Sequence, residues 1–148
     1  MCVIVDNNVA ARALVHDDVD FLPVKRAVLQ RRHKLVHGGK LTDELTKNTL
    51  LRRVLMTFDR TGLSRIVPRN SLEPLERQLV DDGACESNDQ HIVALAIVSG
   101  ARVLCTEDRP LKRDFKNRAL IARPAGRIFQ NATHHQLVAR RCRCPACR

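Results

Sequence analysis

The sequence contains no tryptophan and no tyrosine, and its four aromatic residues are all phenylalanine. It also has no apolar run that approaches the roughly 18 residues of a transmembrane helix. Six cysteines in 148 residues are too few for a disulfide-built scaffold. An acid already at position 6 comes too early for a secretory signal, so we expect a soluble, cytoplasmic protein with reduced thiols. These absences exclude a membrane protein and a secreted mini-protein, and 44% hydrophobic residues favour one compact domain with a core.

Positive charge is concentrated in the C-terminal part of the chain. Residues 1–108 contain 15 basic and 15 acidic residues, whereas residues 109–148 contain 11 basic residues and one acid, Asp114. The net charge of +10 therefore arises from the last 40 residues. This asymmetry favours a surface for a polyanion, most often nucleic acid, held by its phosphates because few aromatic side chains are present for base stacking. The alternative is a solvated tail that only adds solubility.

Short β-branched apolar runs alternate with helical patterns along the chain. Strands are predicted at residues 3–5, 65–67, 102–105 and 119–122, and helices at about 21–32, 40–60, 70–79, 91–99 and just after Pro110. Asn70 and Glu73 resemble a capping pair at the start of the third helix. The alternation predicts an α/β sandwich around a mostly parallel sheet. We assign residues 1–124 to this domain and residues 125–148 to a basic, cysteine-containing extension.

Two acidic side chains follow predicted strands. Asp6 comes directly after residues 3–5, and Asp108 comes three residues after Cys105. Binding sites in parallel α/β sheets form beyond the carboxyl ends of the strands, so these two carboxylates are expected to lie near a site. Asp is also common in turns and helix caps, and that alternative stays open.

Two further acids are predicted to face inward from helices. Taking residues 40–60 as one helix, Glu44 falls within the apolar stripe and Asp43 faces solvent. Asn48 falls on the same stripe, where it would support Glu44. Asp89 shares a face with apolar residues of the 91–99 helix. Inward carboxylates are costly unless they are paired or bound to cations, so the pattern predicts a cation site unless the acids only cap helices.

These segments, taken in order, resemble the PIN-domain ribonucleases, including the VapC-type toxins. The similar features are Asp6 after a first strand, Glu44 within residues 41–45, Asp89 within residues 88–96, and residues 103–108 followed by Leu111 and Phe115. The resemblance covers about residues 2–122. It implies a Rossmann-like three-layer α/β/α fold, an acidic pocket that holds one or two Mg²⁺ or Mn²⁺ ions, and hydrolysis of RNA phosphodiester bonds. It leaves open an antitoxin protein as partner and a homodimer.

The resemblance also implies roles for single residues. Asp6, Asp89 and Asp108 would be direct or water-mediated metal ligands, and Glu44 would complete the set or orient the attacking water. Four carboxylates with no inward histidine suit hard cations such as Mg²⁺ and Mn²⁺. Thr106 would hydrogen-bond a carboxylate or a metal-bound water. The basic residues that follow Asp108 would contact the phosphates of the substrate: Arg109, Lys112, Arg113 and Lys116.

The C-terminal segment places three thiols within six residues, at Cys142, Cys144 and Cys147. Their spacing is similar to that of a zinc knuckle, for which His134 or His135 could supply a fourth ligand. One lone cluster is incomplete, so the favoured interpretation is a basic tail with oxidisable thiols, and Zn²⁺ is the alternative. A second function of another class also stays open, a non-catalytic nucleic-acid-binding or regulatory module that uses the basic C-terminal segment.

Overall fold

The computed structural model of the chain describes residues 2–144 and Cys147, and it contains a five-stranded sheet in which all paired strands are parallel. The strands are β1 (Val3–Val5), β2 (Leu35–Gly38), β3 (Ser64–Val67), β4 (Val103–Cys105) and β5 (Arg127–Ile128). Their order across the sheet is β3-β2-β1-β4-β5. In the centre, Val3 pairs with Leu35 on one side and with Val103 on the other. The α/β fold with a parallel central sheet is thus confirmed.

Helices cover both faces of the sheet. They are α1 (Asn7–Leu14), α2 (Leu22–Leu29), α3 (Gly39–Thr46), α4 (Thr49–Thr61), α5 (Arg69–Asp81), α6 (Gln90–Ser99), α7 (Arg109–Lys116) and α8 (Gln136–Ala139), with a 3₁₀ turn at Ala132–His134. Parallel crossovers are right-handed, so the helices between β1 and β3 lie on one face and those between β3 and β5 on the other. The result is a Rossmann-like three-layer α/β/α fold. Within the described residues, no helix combines the length and the apolar character that a membrane crossing requires.

The strand order places a crevice beside the first strand. The chain runs from β1 outward to β3 and then returns to β4 on the other side of β1. The carboxyl ends of β1 and β4 therefore form the topological switch point, where ligands bind in folds of this type. Helix α3 begins directly after β2 and contacts both α1 and α6, so it lies at the carboxyl edge of the sheet, between the two helical layers.

The prediction was wrong for two strands. Residues 119–122 lie in turns, because the Asn117 side chain accepts a hydrogen bond from the Ala119 amide and the Ile121 side chain is buried without strand pairing. The fifth strand is instead Arg127–Ile128. Strand β2 was not predicted, because His37 and Gly38 interrupt its apolar run, yet all four of its residues are buried.

The predicted helix over residues 40–60 is two helices. Residue Asn48 separates them, and its side-chain oxygen accepts hydrogen bonds from the Leu50 and Leu51 amides at 2.9 and 3.2 Å as the N-cap of α4. Helix α1 follows Asp6 directly and was also not predicted. The Asn70–Glu73 capping pair is likewise wrong, because α5 begins at Arg69 after Pro68 and has no side-chain cap.

Residues beyond 124 belong to the same packed unit wherever the structure describes them. Strand β5 extends the sheet, and Phe129, Val138 and Cys142 are buried in the common core. The Cys142 amide donates to the Arg32 carbonyl at 2.7 Å, and Arg32 donates to the Ala139 carbonyl at 2.8 Å. The basic C-terminal segment is therefore held against the turn that precedes β2.

Candidate functional site

Asp6 lies at the switch point, directly after β1, and its side chain is almost fully buried. One carboxylate oxygen accepts a hydrogen bond from the Asn7 amide and the other accepts one from the Thr106 hydroxyl, both at 2.7 Å. Burial raises the pKa of Asp6, these two hydrogen bonds lower it, and the charge of Glu44 raises it; the net shift is upward. The site therefore holds a carboxylate in a place that disfavours its negative charge.

Thr106 joins the ends of the two central strands. Besides donating to Asp6, its hydroxyl oxygen accepts a hydrogen bond from the Asp108 amide at 3.1 Å. Asp108 itself is the N-cap of α7, since one of its oxygens accepts from the Leu111 amide at 2.8 Å. Thr106 thus fixes the spacing of Asp6 and Asp108 through one side chain.

Asp89 directly precedes α6, which covers the other face of the sheet from α1. It is the N-cap residue of α6, but its side chain forms no capping hydrogen bond. Burial raises its pKa, and the charges of Asp6, Asp108 and Glu44 raise it further, while His91 acts against them. Asp89 therefore interacts with each of the other three predicted acids, and Asp6, Glu44, Asp89 and Asp108 together form an acidic cluster. Two of them, Asp6 and Asp108, also cap helices.

Glu44 is half-buried on α3, and its Oε1 atom lies 3.4 Å from Nε2 of His91. The neighbouring Asp43 is exposed and pairs with Arg69 at 2.8 Å. The predicted support from Asn48 is wrong, because that side chain is exposed and caps α4 instead. Glu44 therefore faces the acidic cluster, as its helical phase suggested, although the helix is shorter than expected.

His91 is the residue that sequence analysis missed. Its imidazole is buried, and neither ring nitrogen has a hydrogen-bond partner among the described residues. The expectation of no inward histidine is therefore wrong. A signal was present in the sequence, because α6 is apolar on every side and a histidine within such a helix must be buried.

A second missed residue, Asp114, holds the segment that carries Asp89. Its buried carboxylate accepts hydrogen bonds from the Glu86 amide, the Ser87 amide and the Ser87 hydroxyl at 2.8, 2.9 and 2.6 Å. The Ser87 hydroxyl oxygen in turn accepts from the Asp89 amide at 3.2 Å. Asp114 is thus connected to the acidic cluster by one intermediate residue.

The basic residues predicted to contact phosphates lie on α7, next to Asp108. Arg109 and Lys116 are exposed and Lys112 is half-buried. Arg113 pairs with Glu86 at 2.5 Å, so part of its charge is already neutralised. Arg109 and Lys112 belong to the first turn of α7, which begins directly after Asp108, so they are the basic residues of this helix nearest to Asp108 in sequence.

The predicted zinc ligands are brought together only in part. Cys142, Cys144 and Cys147 lie close together, and Cys2 takes the fourth place, with all four sulfur atoms within 4.8 Å of one another. The expected histidines lie outside this group: Nδ1 of His134 accepts from the Gln130 amide, and His135 is exposed. Burial acts to raise the pKa of Cys144, but hydrogen bonds from Cys142 and Cys2 lower it to about 6.

Across the described residues, these thiols are the one group of three or more cysteine, histidine or acidic side chains whose ligand atoms approach so closely. The carboxylates of the acidic cluster are spaced more widely.

Comparison with other proteins adds no constraint, because no family model, no curated protein and no solved structure matches the chain.

Proposed function

We propose that this chain is a divalent-metal-dependent ribonuclease of the PIN-domain type. The observation that carries the proposal is the convergence of Asp6, Glu44, Asp89 and Asp108 at the switch point, where burial and mutual repulsion raise the pKa of Asp6 and of Asp89. Carboxylates kept together at such an electrostatic cost are stabilised by a cation. Helix capping explains the positions of Asp6 and Asp108, but it does not explain Asp89 or Glu44.

The donor set fits Mg²⁺ or Mn²⁺. All four acidic side chains offer oxygen atoms, which these hard cations prefer, and the wide spacing of the carboxylates suits an ion that keeps several water ligands. Asp6, Asp89 and Asp108 would hold the ion, and Glu44 would complete the set. When bound, such an ion neutralises charge on the phosphodiester and activates a water molecule.

The residues of the chain have separate tasks in this proposal. Thr106 keeps Asp6 and Asp108 at a fixed spacing, and Asp114 keeps the segment before α6 in place. Glu44 orients the attacking water. Arg109 and Lys112 are exposed or half-exposed beside Asp108 and bind the phosphates that flank the cleaved bond.

Cleavage of end-labelled single-stranded RNA by the full-length protein tests the proposal. We expect cleavage in Mg²⁺ or Mn²⁺, none after addition of EDTA, and a loss of about 100-fold or more in rate, near 2.7 kcal/mol in activation free energy, for Asp89→Asn. Asp82→Asn is the matched control, because Asp82 is an exposed acid at the end of α5. If the protein binds the RNA but does not cleave it in the presence of either Mg²⁺ or Mn²⁺, the proposal is overturned.

A non-catalytic nucleic-acid-binding module is the second candidate. It is favoured by a groove whose lining includes three arginines of the C-terminal segment, Arg140, Arg141 and Arg143. In that case RNA affinity without divalent metal would be the same for Asp89→Asn and the unmodified protein, and no cleavage would occur with metal. The same binding and cleavage assays therefore separate the two candidates.

A further inference from the structure

A cluster of four thiols lies at the opposite end of β1 from the acidic cluster. Cys2 directly precedes β1 and Asp6 directly follows it, so the two groups are separated by the length of the strand, roughly 13 Å at about 3.3 Å per residue. The other three thiols come from the segment after α8. The cluster is therefore built from the two ends of the chain and shares no residue with the proposed nuclease site.

The sulfur atoms converge on one point instead of forming separate pairs. Cys144 Sγ lies 3.1 Å from Cys2 Sγ and 3.1 Å from Cys142 Sγ, and Cys2 Sγ lies 3.9 Å from Cys142 Sγ. Four sulfurs around one tetrahedral Zn²⁺ at about 2.3 Å are about 3.8 Å apart. If the four cysteines formed two disulfides, each bonded pair of sulfur atoms would be about 2.05 Å apart, and the two pairs would lie farther from each other. The three separations are about 1 Å or more longer than a disulfide bond, and all four sulfurs lie within 4.8 Å of one another, so the arrangement fits four ligands of a single ion better than two disulfides.

Several groups around the cluster can offset negative charge on sulfur, although burial of Cys2 and Cys147 raises the pKa of both thiols. The Cys144 amide donates to Cys142 Sγ at 3.4 Å, and the Lys34 amide faces the sulfurs of Cys2 and Cys147. The Arg102 guanidinium, itself buried, interacts with Cys144. Such amide and cation contacts offset the negative charge of metal-bound sulfur.

The cluster also closes a long loop. Cys2 and Cys142 are 140 residues apart in sequence, and His33 bonds the Arg140 carbonyl beside the cluster at 2.9 Å. A link at this point would fix the C-terminal segment to the amino end of β1 and restrict the unfolded chain. It would also hold the exposed Arg141 and Arg143 in the groove that they line.

We propose that Cys2, Cys142, Cys144 and Cys147 bind one Zn²⁺ ion as a closed structural site that joins the C-terminal segment to the first strand. Each thiol releases its proton on binding, so the ion with four thiolates carries a charge of −2, and the Arg102 guanidinium offsets part of it. No ligand position is left for substrate, which makes the site structural. The proposal does not depend on nuclease activity.

Metal analysis of the full-length protein, purified under reducing conditions without chelator, tests this site. We expect one zinc per chain by mass spectrometry of the metal, and about one zinc released when a mercurial reagent blocks the thiols. Replacement of zinc by Co²⁺ should give the intense visible and near-ultraviolet absorption of tetrahedral thiolate coordination. Chelation should lower the melting temperature.

Single-residue variants distinguish a four-thiolate zinc site from metal binding elsewhere in the chain. Cys144→Ser should lose the cobalt spectrum and most of the zinc, whereas Cys85→Ser, which changes a half-buried thiol outside the cluster, should keep both. Asp89→Asn should also keep both, since the acidic cluster is a different site. If Cys144→Ser does not fold, the cobalt spectrum of the unmodified protein remains a sufficient test. A reduced protein that binds no zinc, or a chain lighter by two mass units per disulfide and free of metal, would overturn the proposal.

Discussion

His91 Nε2 lies 3.4 Å from Glu44 Oε1, and His91 belongs to a helix whose next seven residues, 92–98, are all apolar. Both ring nitrogens lack a hydrogen-bond partner in the part of the chain that the structure describes. An unsatisfied buried polar group costs about 1–3 kcal/mol. When protonated, however, the His91 imidazole lowers the pKa of both Asp6 and Asp89 and offsets part of the repulsion among the carboxylates.

Replacing His91 by Leu should therefore separate stability from activity. Two effects on the free energy of unfolding oppose each other. Removal of the unsatisfied nitrogens raises it by about 1–3 kcal/mol, and loss of the imidazole beside Glu44 and the other carboxylates lowers it, so we expect a small net change. The pKa values of Asp6 and Asp89 should rise, since the nearby positive charge is lost. In a plot of cleavage rate against pH, the rise on the acidic side should then move to higher pH, because metal binding requires deprotonated carboxylates.

His16→Leu is the control for this change, because His16 is an exposed histidine. It should leave both the pH profile and the unfolding curve as they are. An unchanged position of the acidic-side rise in His91→Leu would mean that His91 has no electrostatic role at the acidic cluster.

Glu44 and Asp43 are adjacent acids on α3 with different environments. Glu44→Gln should reduce cleavage by about tenfold or more, near 1.4 kcal/mol in activation free energy, because a half-buried carboxylate beside the acidic cluster is lost. Asp43→Asn removes only an exposed ion pair with Arg69, worth about 0–1 kcal/mol, and should leave the rate unchanged. Equal rates for the two variants under saturating RNA would contradict the assignment of Glu44.

Asp89 should destabilise the fold at neutral pH when no divalent ion is present. Its folded pKa is raised by burial and by neighbouring carboxylates, so its contribution to stability is full below the unfolded pKa, about 4, and is lost as pH rises through the folded value. Asp89→Asn in EDTA at pH 7 should raise the melting temperature by at most about 2–4 °C, and less if solvent screens the half-exposed group.

The pH dependence distinguishes this effect from a general change in packing. The gain in melting temperature should shrink toward pH 4 and disappear at about pH 3 and below, where Asp89 is protonated in both states. Added Mg²⁺ should stabilise the unmodified protein more than the variant, because a ligand of the folded state raises its stability. A gain of the same size at about pH 3 and at about pH 7 would contradict an electrostatic origin.

The positions of Asp6, Glu44 and Asp108 could be predicted from the sequence because the signals for them are local. Asp6 and Asp108 follow short apolar strands, and parallel strands end at one edge of a sheet. Glu44 follows from helical phase, which holds even though the predicted helix is divided at Asn48. The helical phase assigned to Asp89 is wrong, because Asp89 is the N-cap residue just before α6 and its backbone is not helical. Strand β2 escaped prediction because His37 looks polar, yet its ring bonds Thr42 and Asp59 at 2.8 and 2.9 Å and is fully buried.

The cysteine cluster could not be predicted in full for the opposite reason. Three of its members are neighbours in the chain, but Cys2 is 140 residues away from Cys142 and resembles an ordinary core residue. Backbone contacts of the C-terminal segment with Arg32 and His33, just before β2, bring it to the start of β1, and such contacts between distant residues leave no local signal in the sequence. The histidines near the tail were chosen because they are close in sequence, which does not determine distance in the fold.

Asp114 should affect the acidic cluster only by holding the segment that carries Asp89 in place. Asp114→Asn leaves one of the Glu86 and Ser87 donors facing an amide nitrogen, so we expect the free energy of unfolding in urea to fall by about 1–3 kcal/mol. Cleavage at saturating RNA should fall as well, because the Asp89 segment is less fixed. Arg113→Gln, which breaks only an exposed pair with Glu86, is the control and should change stability by less than about 1 kcal/mol.

The groove lined by Arg140, Arg141 and Arg143 should supply phosphate contacts that the acidic cluster does not. Binding that neutralises phosphates releases counterions, and the logarithm of affinity for single strands falls with the logarithm of salt with a slope of about −0.7 per phosphate. Changing all three arginines to glutamine should therefore flatten the slope by about 2 if each neutralises one phosphate.

Fluorescence polarisation with labelled single-stranded RNA, in an Asp89→Asn background without chelator, measures this slope while RNA stays intact and any bound zinc is kept. Lys112→Gln with Lys116→Gln gives the comparison for α7. Because Asp89→Asn is common to every protein measured, an unchanged slope in the triple arginine variant would assign the phosphate contacts to residues 109–127 and leave the groove without a role in RNA binding.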